Sequence, residues 1–487
     1  MSSKLNNLSE LQSVLTDAQK TNEGVLAFSS QFNVSQLLKP FTAAKTKGYL
    51  ISTLITALCL YRLTGKSIWA MQRIGNKLIF EGDENSFYRL LNNEKVNWRG
   101  ILMSFALRFK SLVEQKCESN TGVKCFVVDD TDIEKTGKTF EYLSRIFNHV
   151  IKKHVLGFKM LTLGYWDGKS LIAVDFSLHR EKGVSNNFGL SKKERKGQFK
   201  KQRQTHSAAA KRVKEVDQSK IDTALQMIKR AVKRRFSATY VLADSWFIND
   251  ILIKGITSGR KTEKLHVLGM CKMDNRKYSL QNHELNSHQI ITRKQHRQAK
   301  YSRKHKSHYI PVVVQYKGTP VKLFYIRYRN AKSWTLILTT DLKLSFVKAL
   351  ELYQIRWTIE VLFKECKQYL RLGACQNTDF DGQIADATLA LITHTILTLQ
   401  RRFQAYETMG ELFHHHQQIL LELTLWERIL KVFIDMLHQL LETLDIDLDQ
   451  TIEKIFHCEK SGKKILALLS ALRNFEENSQ YKTLSAA

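Results

Sequence analysis

The chain has 487 residues, 43% of them apolar, and carries 76 Lys and Arg against 46 Asp and Glu, a formal net charge of +30. That apolar share is enough for two to four domains with real cores and excludes a disordered chain, while the charge excess calls for a polyanionic partner. Seven cysteines without close Cys-x-x-Cys pairs fit a reducing cytoplasm and exclude a zinc ribbon or disulfide framework.

Residues 1–118 read as almost wholly helical. Gly48 to Leu63 and Ser67 to Ile74 carry successive helical patterns joined by Thr-Gly-Lys, a join found in helix-turn-helix units and in helical bundles generally. Ile51 to Tyr61 is too short to span a bilayer, and the first residues show no basic-then-apolar signal pattern. Cys125-Phe-Val-Val128 reads as a buried strand that ends in Asp129-Asp130-Thr131. Gly157 to Tyr165 and Ser170 to Leu178 are β-prone runs joined through Trp166-Asp-Gly-Lys169, a strong hairpin signal. Lys192 to Lys214 is dense in Lys and Arg and reads as a solvated loop, with Lys200 and Lys201 as candidates for phosphate contact. Val216 to Phe236 has helical spacing and leads into a second strand, Tyr240-Val-Leu-Ala243, which ends in Asp244-Ser245-Trp246. A short helix around Asn249 to Thr257 precedes a strand from His266 to Lys272.

A basic run with Tyr301 interleaved, Arg293 to Lys306, is followed by three β-prone segments: His308 to Tyr316, Val321 to Arg327 and Ser333 to Thr340. They suggest an inserted β subdomain. Phe346 to Leu370 has no Gly or Pro, and its apolar residues recur at helical steps, so one continuous helix is expected. Leu389 to Phe403 and Ile419 to Leu444 read as amphipathic helices without catalytic motifs, and His414 to His416 as a solvated helix face.

On the helix from 346 to 370, Tyr353, Arg356, Glu360 and Lys367 fall within roughly 60° of one another, on a stripe distinct from the apolar one. Such a stripe is ordinarily a solvated face with i,i+4 ion pairs. Trp357 lies at its edge, where packing beside the stripe is expected. Strand-end aspartates are ordinarily turn or cap residues, yet in open α/β sheets functional groups gather at the carboxyl ends of strands. Two such carboxylates beside a helical Glu, Arg and Lys form a set suited to a hard divalent cation and a phosphate.

The order strand, strand, strand, helix, strand matches the ribonuclease H core. Tyr353, Arg356, Glu360 and Lys367, separated by two, three and six residues, match the YREK signature in full. In this the chain resembles the insertion-sequence-four family of DDE transposases over roughly residues 120–400. Asp129-Asp-Thr131 is similar to the family's first-aspartate motif, with Asp130 in place of the usual glycine, and Ala243-Asp244-Ser245 to its second. The resemblance implies an α/β fold with a ribonuclease H-like mixed-sheet core interrupted by a β-rich insertion. Its parts would be a helical N-terminal DNA-binding region at 1–118, core at 119–272, insertion at 273–343, core with the YREK helix at 344–400, and a helical, dimerising region at 401–487. It further implies Asp129, Asp244 and Glu360 as catalytic, metal-binding residues, with Asp130 an open alternative to Asp129. Tyr353, Arg356 and Lys367 would bind DNA phosphate, and Trp334 would stack on a base flipped out near the cleaved end, unless it simply packs the sheet. The implied activity is cut-and-paste transposition from terminal inverted repeats with Mg²⁺, for which Mn²⁺ can substitute. The partners would be transposon-end and target DNA and a second copy of the chain, in the bacterial cytoplasm at the nucleoid and without membrane. Alternatives are a nuclease on the same fold and an inactive DNA-binding derivative.

Overall fold

The computed structural model describes residues 32–417 apart from 46, 74–81, 117–121, 260–261, 263–264, 295–298, 330, 404–407 and 415. The first 31 residues, His415 and the expected helix from Ile419 to Leu444 lie outside the described residues. Among the described residues no helix is long and apolar enough to cross a membrane.

The N-terminal part is helical: α1 (Val34–Leu38), a 3₁₀ turn (Lys39–Ala44), α2 (Ile51–Leu63), α3 (Ile68–Arg73), α4 (Glu84–Leu91) and α5 (Trp98–Lys116). Gly65, with φ +68°, makes the turn between α2 and α3 that a side chain would strain. Asp83 caps α4 by accepting the Ser86 N–H.

A mixed sheet follows. Its first strands are β1 (Cys125–Glu134), β2 (Ser144–Asn148), β3 (Lys153–Trp166), β4 (Leu171–His179), β5 (Tyr240–Ala243) and β6 (His266–Cys271). β3 lies antiparallel to β1 along its length, and its other edge is shared by β2 and β4. β5 runs parallel to β1, and β6 parallel to β5. The order β4-β3-β1-β5-β6, with three antiparallel strands followed by two parallel to the first, is compatible with a ribonuclease H-like core. Between β4 and β5 come α6 (Lys192–Lys196), α7 (Ala208–Glu215) and α8 (Lys220–Lys233); between β5 and β6 lies α9 (Asp250–Thr257).

The sheet continues through β7 (Lys277–Leu280), β8 (His283–Asn286), β9 (Lys300–Ser302), β10 (Ser307–Tyr316), β11 (Thr319–Tyr328) and β12 (Thr335–Thr339), with α10 (Ser287–Lys294) between β8 and β9. β12 pairs antiparallel with β6, so the β-rich segment extends the same sheet. Lys317 and Gly318, both at positive φ, form the tight turn between β10 and β11. Three helices close the described part: α11 (Phe346–Gln354), α12 (Trp357–Gln368) and α13 (Phe380–Phe403).

Four expectations change here, three of them in single elements. β1 does not stop at Asp129 but runs to Glu134, because the long β3 pairs with all of it while β5 ends at Ala243. The expected single helix is broken between Gln354 and Trp357, where Ile355, Arg356, Thr358 and Ile359 donate to the carbonyl three residues back and tighten the turn. α13 is not amphipathic but buried from Phe380 to Gln400 apart from the half-buried Asp386. It packs against α2, α5, α12 and β4. Its polar residues are satisfied internally: Thr388, Thr393, Thr395 and Thr398 donate to carbonyls four residues back, and His394 pairs with Glu365 at 2.8 Å.

The basic stretch at 192–214 departs furthest from its reading as a solvated loop. Lys201 binds Asp379 (2.7 Å) and Asp381 (2.8 Å), while Arg203, with only 4% of its side chain exposed, binds Glu141, Asp379 and Asp381. A second cluster forms around the fully buried Asp175 of β4, where Arg99 of α5, Arg212 of α7 and Arg230 of α8 converge with Glu215. Although burial opposes its ionisation, the three guanidiniums hold the Asp175 carboxyl below its ordinary range. These clusters tie the helical part, the basic stretch and α13 to the sheet. Lys200 and most of Lys192 to Lys196 remain exposed.

Candidate active site

Alternation along β1 sends Asp129 and Thr131 to one face and Asp130 and Asp132 to the other. On the second face Asp130 pairs with Lys220 at the start of α8, and Asp132 with Lys159 of β3. On the first, α12 brings Glu360 and Lys367 over the strand. Arg356, at the N-terminus of α12, links the two elements: Nη1 donates to Asp129 Oδ2 at 2.8 Å and Nη2 to Glu360 Oε1 at 2.7 Å. Lys367 Nζ donates to Thr131 Oγ1 at 2.7 Å.

Asp244 comes from β5. The parallel register pairs Val128 with Ala243, so the next residues, Asp129 and Asp244, sit side by side on the same face where the parallel pairing ends. Asp244 Oδ1 accepts the N–H groups of Trp246 (2.9 Å) and Phe247 (3.3 Å) and fixes the turn, leaving Oδ2 with no hydrogen-bond donor among the described residues. β6 fits tightly alongside, since a Cβ on Gly269 would fall 2.5 Å from the Ala243 carbonyl oxygen. Tyr353, at the end of α11, lies beside Arg356, whose guanidinium carbon is 5.7 Å from the ring centre.

The electrostatics follow from this crowding. Burial pushes the Asp129 carboxyl up to about 7; Arg356 opposes the shift and the neighbouring Asp244 adds to it. Burial also raises Tyr353, with further upward pressure from Asp244 and Asp129 against the pull of Arg356. Desolvation lowers the pKa of the Lys367 ammonium where it is drawn against Thr131, although the residue as a whole is exposed. Arg356 is held above its ordinary value because Tyr353, Glu360 and Asp129 together outweigh the burial that disfavours its charge.

Of the residues singled out in the sequence, Asp129, Asp244, Tyr353, Arg356, Glu360 and Lys367 thus share one end of the β1–β5 pair. Asp130 does not join them. Trp334 is half-buried just before β12, with the Arg327 guanidinium 4.9 Å from its ring centre. It stands at the same end of the sheet but two strands across from Asp244, a separation of roughly 10 Å or more. Two other tryptophans are closer in sequence to the site and open to solvent: Trp246 is 46% exposed and Trp357 60% exposed. Trp357 therefore does not pack beside the stripe as expected. Trp246 carries Lys220 over its ring at 4.1 Å.

The donor set suits a hard divalent cation. Burial raises Asp129 and the in-register Asp244 carboxylate beside it adds to the shift, while uncommitted oxygens remain on Asp244 and Glu360. Arg356 stands between Asp129 and Glu360, and among the described residues no three Asp, Glu, His or Cys side chains are close enough to share one ion.

Carboxylates side by side where the parallel β1–β5 pairing ends, faced by cations from a helix, suit chemistry on a phosphodiester. The chain belongs to the DDE superfamily of endonucleases, whose family profile matches residues 36–317, more than half its length. The match includes Asp129 and Asp244 and stops before Tyr353, Arg356, Glu360 and Lys367. Members of this superfamily generally depend on divalent metal and act on DNA, which gives the chain a nuclease or transposase-like function. No curated protein matches the chain.

Proposed function

We propose that the chain is a cut-and-paste transposase that binds the terminal inverted repeats of an insertion sequence and both cleaves and joins DNA strands at this site. The observation that carries the reading is the convergence of Asp129, Asp244 and Glu360, with Arg356 and Lys367, from three separate elements. Asp129, Asp244 and Glu360 would hold Mg²⁺, or Mn²⁺ in its place, and two such ions supply charge stabilisation for the attacking and leaving oxygens of an in-line displacement. Arg356 offers a planar fork for a phosphate and Lys367 a point charge next to it. Tyr353 would present a hydroxyl to a terminal phosphate, held protonated by burial, with Asp244 and Asp129 adding to the effect. The same residues serve first when water attacks and then when the freed 3′-hydroxyl attacks target DNA.

The exposed Lys192 to Lys196 and Lys200 extend a basic surface for the DNA backbone. Trp334 remains the base-stacking candidate within the β-rich insertion, and the exposed Trp357, next to Arg356, is the nearer aromatic. The helical N-terminal part would read the terminal repeats. Joining two element ends requires two active sites and hence a dimer, a role assigned to 401–487. Incubating the purified protein with its own element ends and Mg²⁺, then sequencing the product termini, tests the reading. Cuts at the element ends followed by joining are expected; cleavage without joining would reduce the assignment to a nuclease.

A further inference from the structure

We propose that Arg356 is an exchangeable occupant of the carboxylate site: it holds Asp129 and Glu360 together before cation and DNA arrive, then releases both and moves onto a DNA phosphate. The inference rests on the carboxylate-site reading above and deepens it.

One guanidinium binds two carboxylates from different elements, at 2.8 Å on β1 and 2.7 Å on α12. It therefore stands between two of the carboxylates that would have to share an ion. It answers the charge of Asp129 and Glu360 but leaves Asp244 Oδ2 and Glu360 Oε2 without donors among the described residues. Its own fork is only partly used, since the buried Nε has no hydrogen-bond acceptor. The backbone position favours movement. Arg356 sits in the tightened turn between α11 and α12, makes no side-chain cap to α12, and can swing without unwinding either helix.

The exchange is chemically even-handed. A phosphate offers a guanidinium the same paired acceptors that the carboxylates do, and the released carboxylates present hard oxygens to a divalent ion. Each ligand then removes an obstacle to the other, so cation and DNA must tighten one another's binding by the same factor. Before loading, the arginine keeps Glu360 over β1 and prevents three carboxylates from repelling each other apart.

The test is calorimetric titration of the full chain with Ca²⁺, with and without a duplex oligonucleotide, for the parent, R356Q, R356K and D244N. Without DNA, R356Q should bind Ca²⁺ about tenfold more tightly than the parent, with R356K in between because it keeps the charge but cannot bridge both carboxylates. Duplex DNA should tighten Ca²⁺ binding several-fold in the parent and much less in R356Q. Parent-like or weaker Ca²⁺ binding by both Arg356 variants, or a parent indifferent to DNA, overturns the exchange. The parent arm needs no variant and so survives any folding defect. If D244N leaves Ca²⁺ binding unchanged, the carboxylate-site reading itself fails, which separates the two conclusions.

Discussion

Replacing Arg203 with Met tests whether the buried ionic clusters hold the fold together. Its side chain is 4% exposed and every nitrogen is engaged, on Glu141 at 2.8 and 2.5 Å, on Asp381 at 2.9 Å and on Asp379 at 3.2 Å. Methionine fills comparable volume, so the loss is electrostatic. Asp379 and Asp381 would keep only the Lys201 ammonium as a cation, and Glu141 only the N–H groups of Lys201 and Phe380; breaking a buried pair by removing one partner costs about 3–5 kcal/mol. An exposed pair such as Lys304 with Glu351 should cost under about 1 kcal/mol, which makes Lys304→Met the control. The assay is urea denaturation followed by tryptophan fluorescence and far-UV circular dichroism at several pH values.

Acidification gives a second, independent readout. Burial raises Asp381 above its ordinary value even with Lys201 and Arg203 present. A carboxyl raised on folding binds more protons in the native state, so its contribution to stability is lost as pH rises through the folded pKa and regained as pH falls. Removing Arg203 lifts Asp381 further, so the R203M penalty should shrink as pH falls below neutrality. A penalty below about 1 kcal/mol, or one that grows on acidification, would refute the reasoning.

Glu360→Gln should reduce divalent-cation-dependent cleavage by at least about a hundredfold while leaving DNA binding, read by gel shift, within a few-fold of the parent. Full cleavage by that variant would remove Glu360 from the site. Lys200→Gln should lower the slope of log K against log salt by about 0.9 if the lysine neutralises one phosphate, whereas Lys201→Gln should instead lower the urea midpoint. Gly269→Ala should destabilise by about 2 kcal/mol or more, since the added methyl meets the Ala243 carbonyl 2.5 Å away and neither strand can retreat; an unchanged midpoint would show that the contact relaxes.

How much of this the sequence disclosed depends on how local the cause was. The Asp-Gly turn between β3 and β4 and the succession of strands around α8 are set by neighbours in sequence, and the β4-β3-β1-β5-β6 order accords with that reading. Helical phase put Glu360 and Lys367 on one face, and both lie on α12, but it did not disclose the break that sets Tyr353 on a separate helix. The end of β1 was not, because Asp132 and Glu134 look like loop residues until Lys159, on another strand, neutralises Asp132. β2 escaped notice because five residues paired with only the first part of β3 leave little periodic signal. Lys201 and Arg203 looked solvated because their acidic partners Asp379 and Asp381 lie well over a hundred residues away. α13 looked amphipathic because threonine hydroxyls and a paired histidine read as surface until the backbone that satisfies them is in place. The helix break before Trp357 is one that no Gly or Pro announces.

The pairing of β12 with β6 sets a limit on how this chain can be cut. Excising residues 273–343 would leave Leu268 to Cys271 as an open edge, with the N–H and C=O groups now bonded to Leu336 through Thr339 unpaired. That edge is apolar, lacks proline, and belongs to the strand next to the one that carries Asp244. A shortened chain would therefore tend to self-associate through β6 before it lost any catalytic side chain.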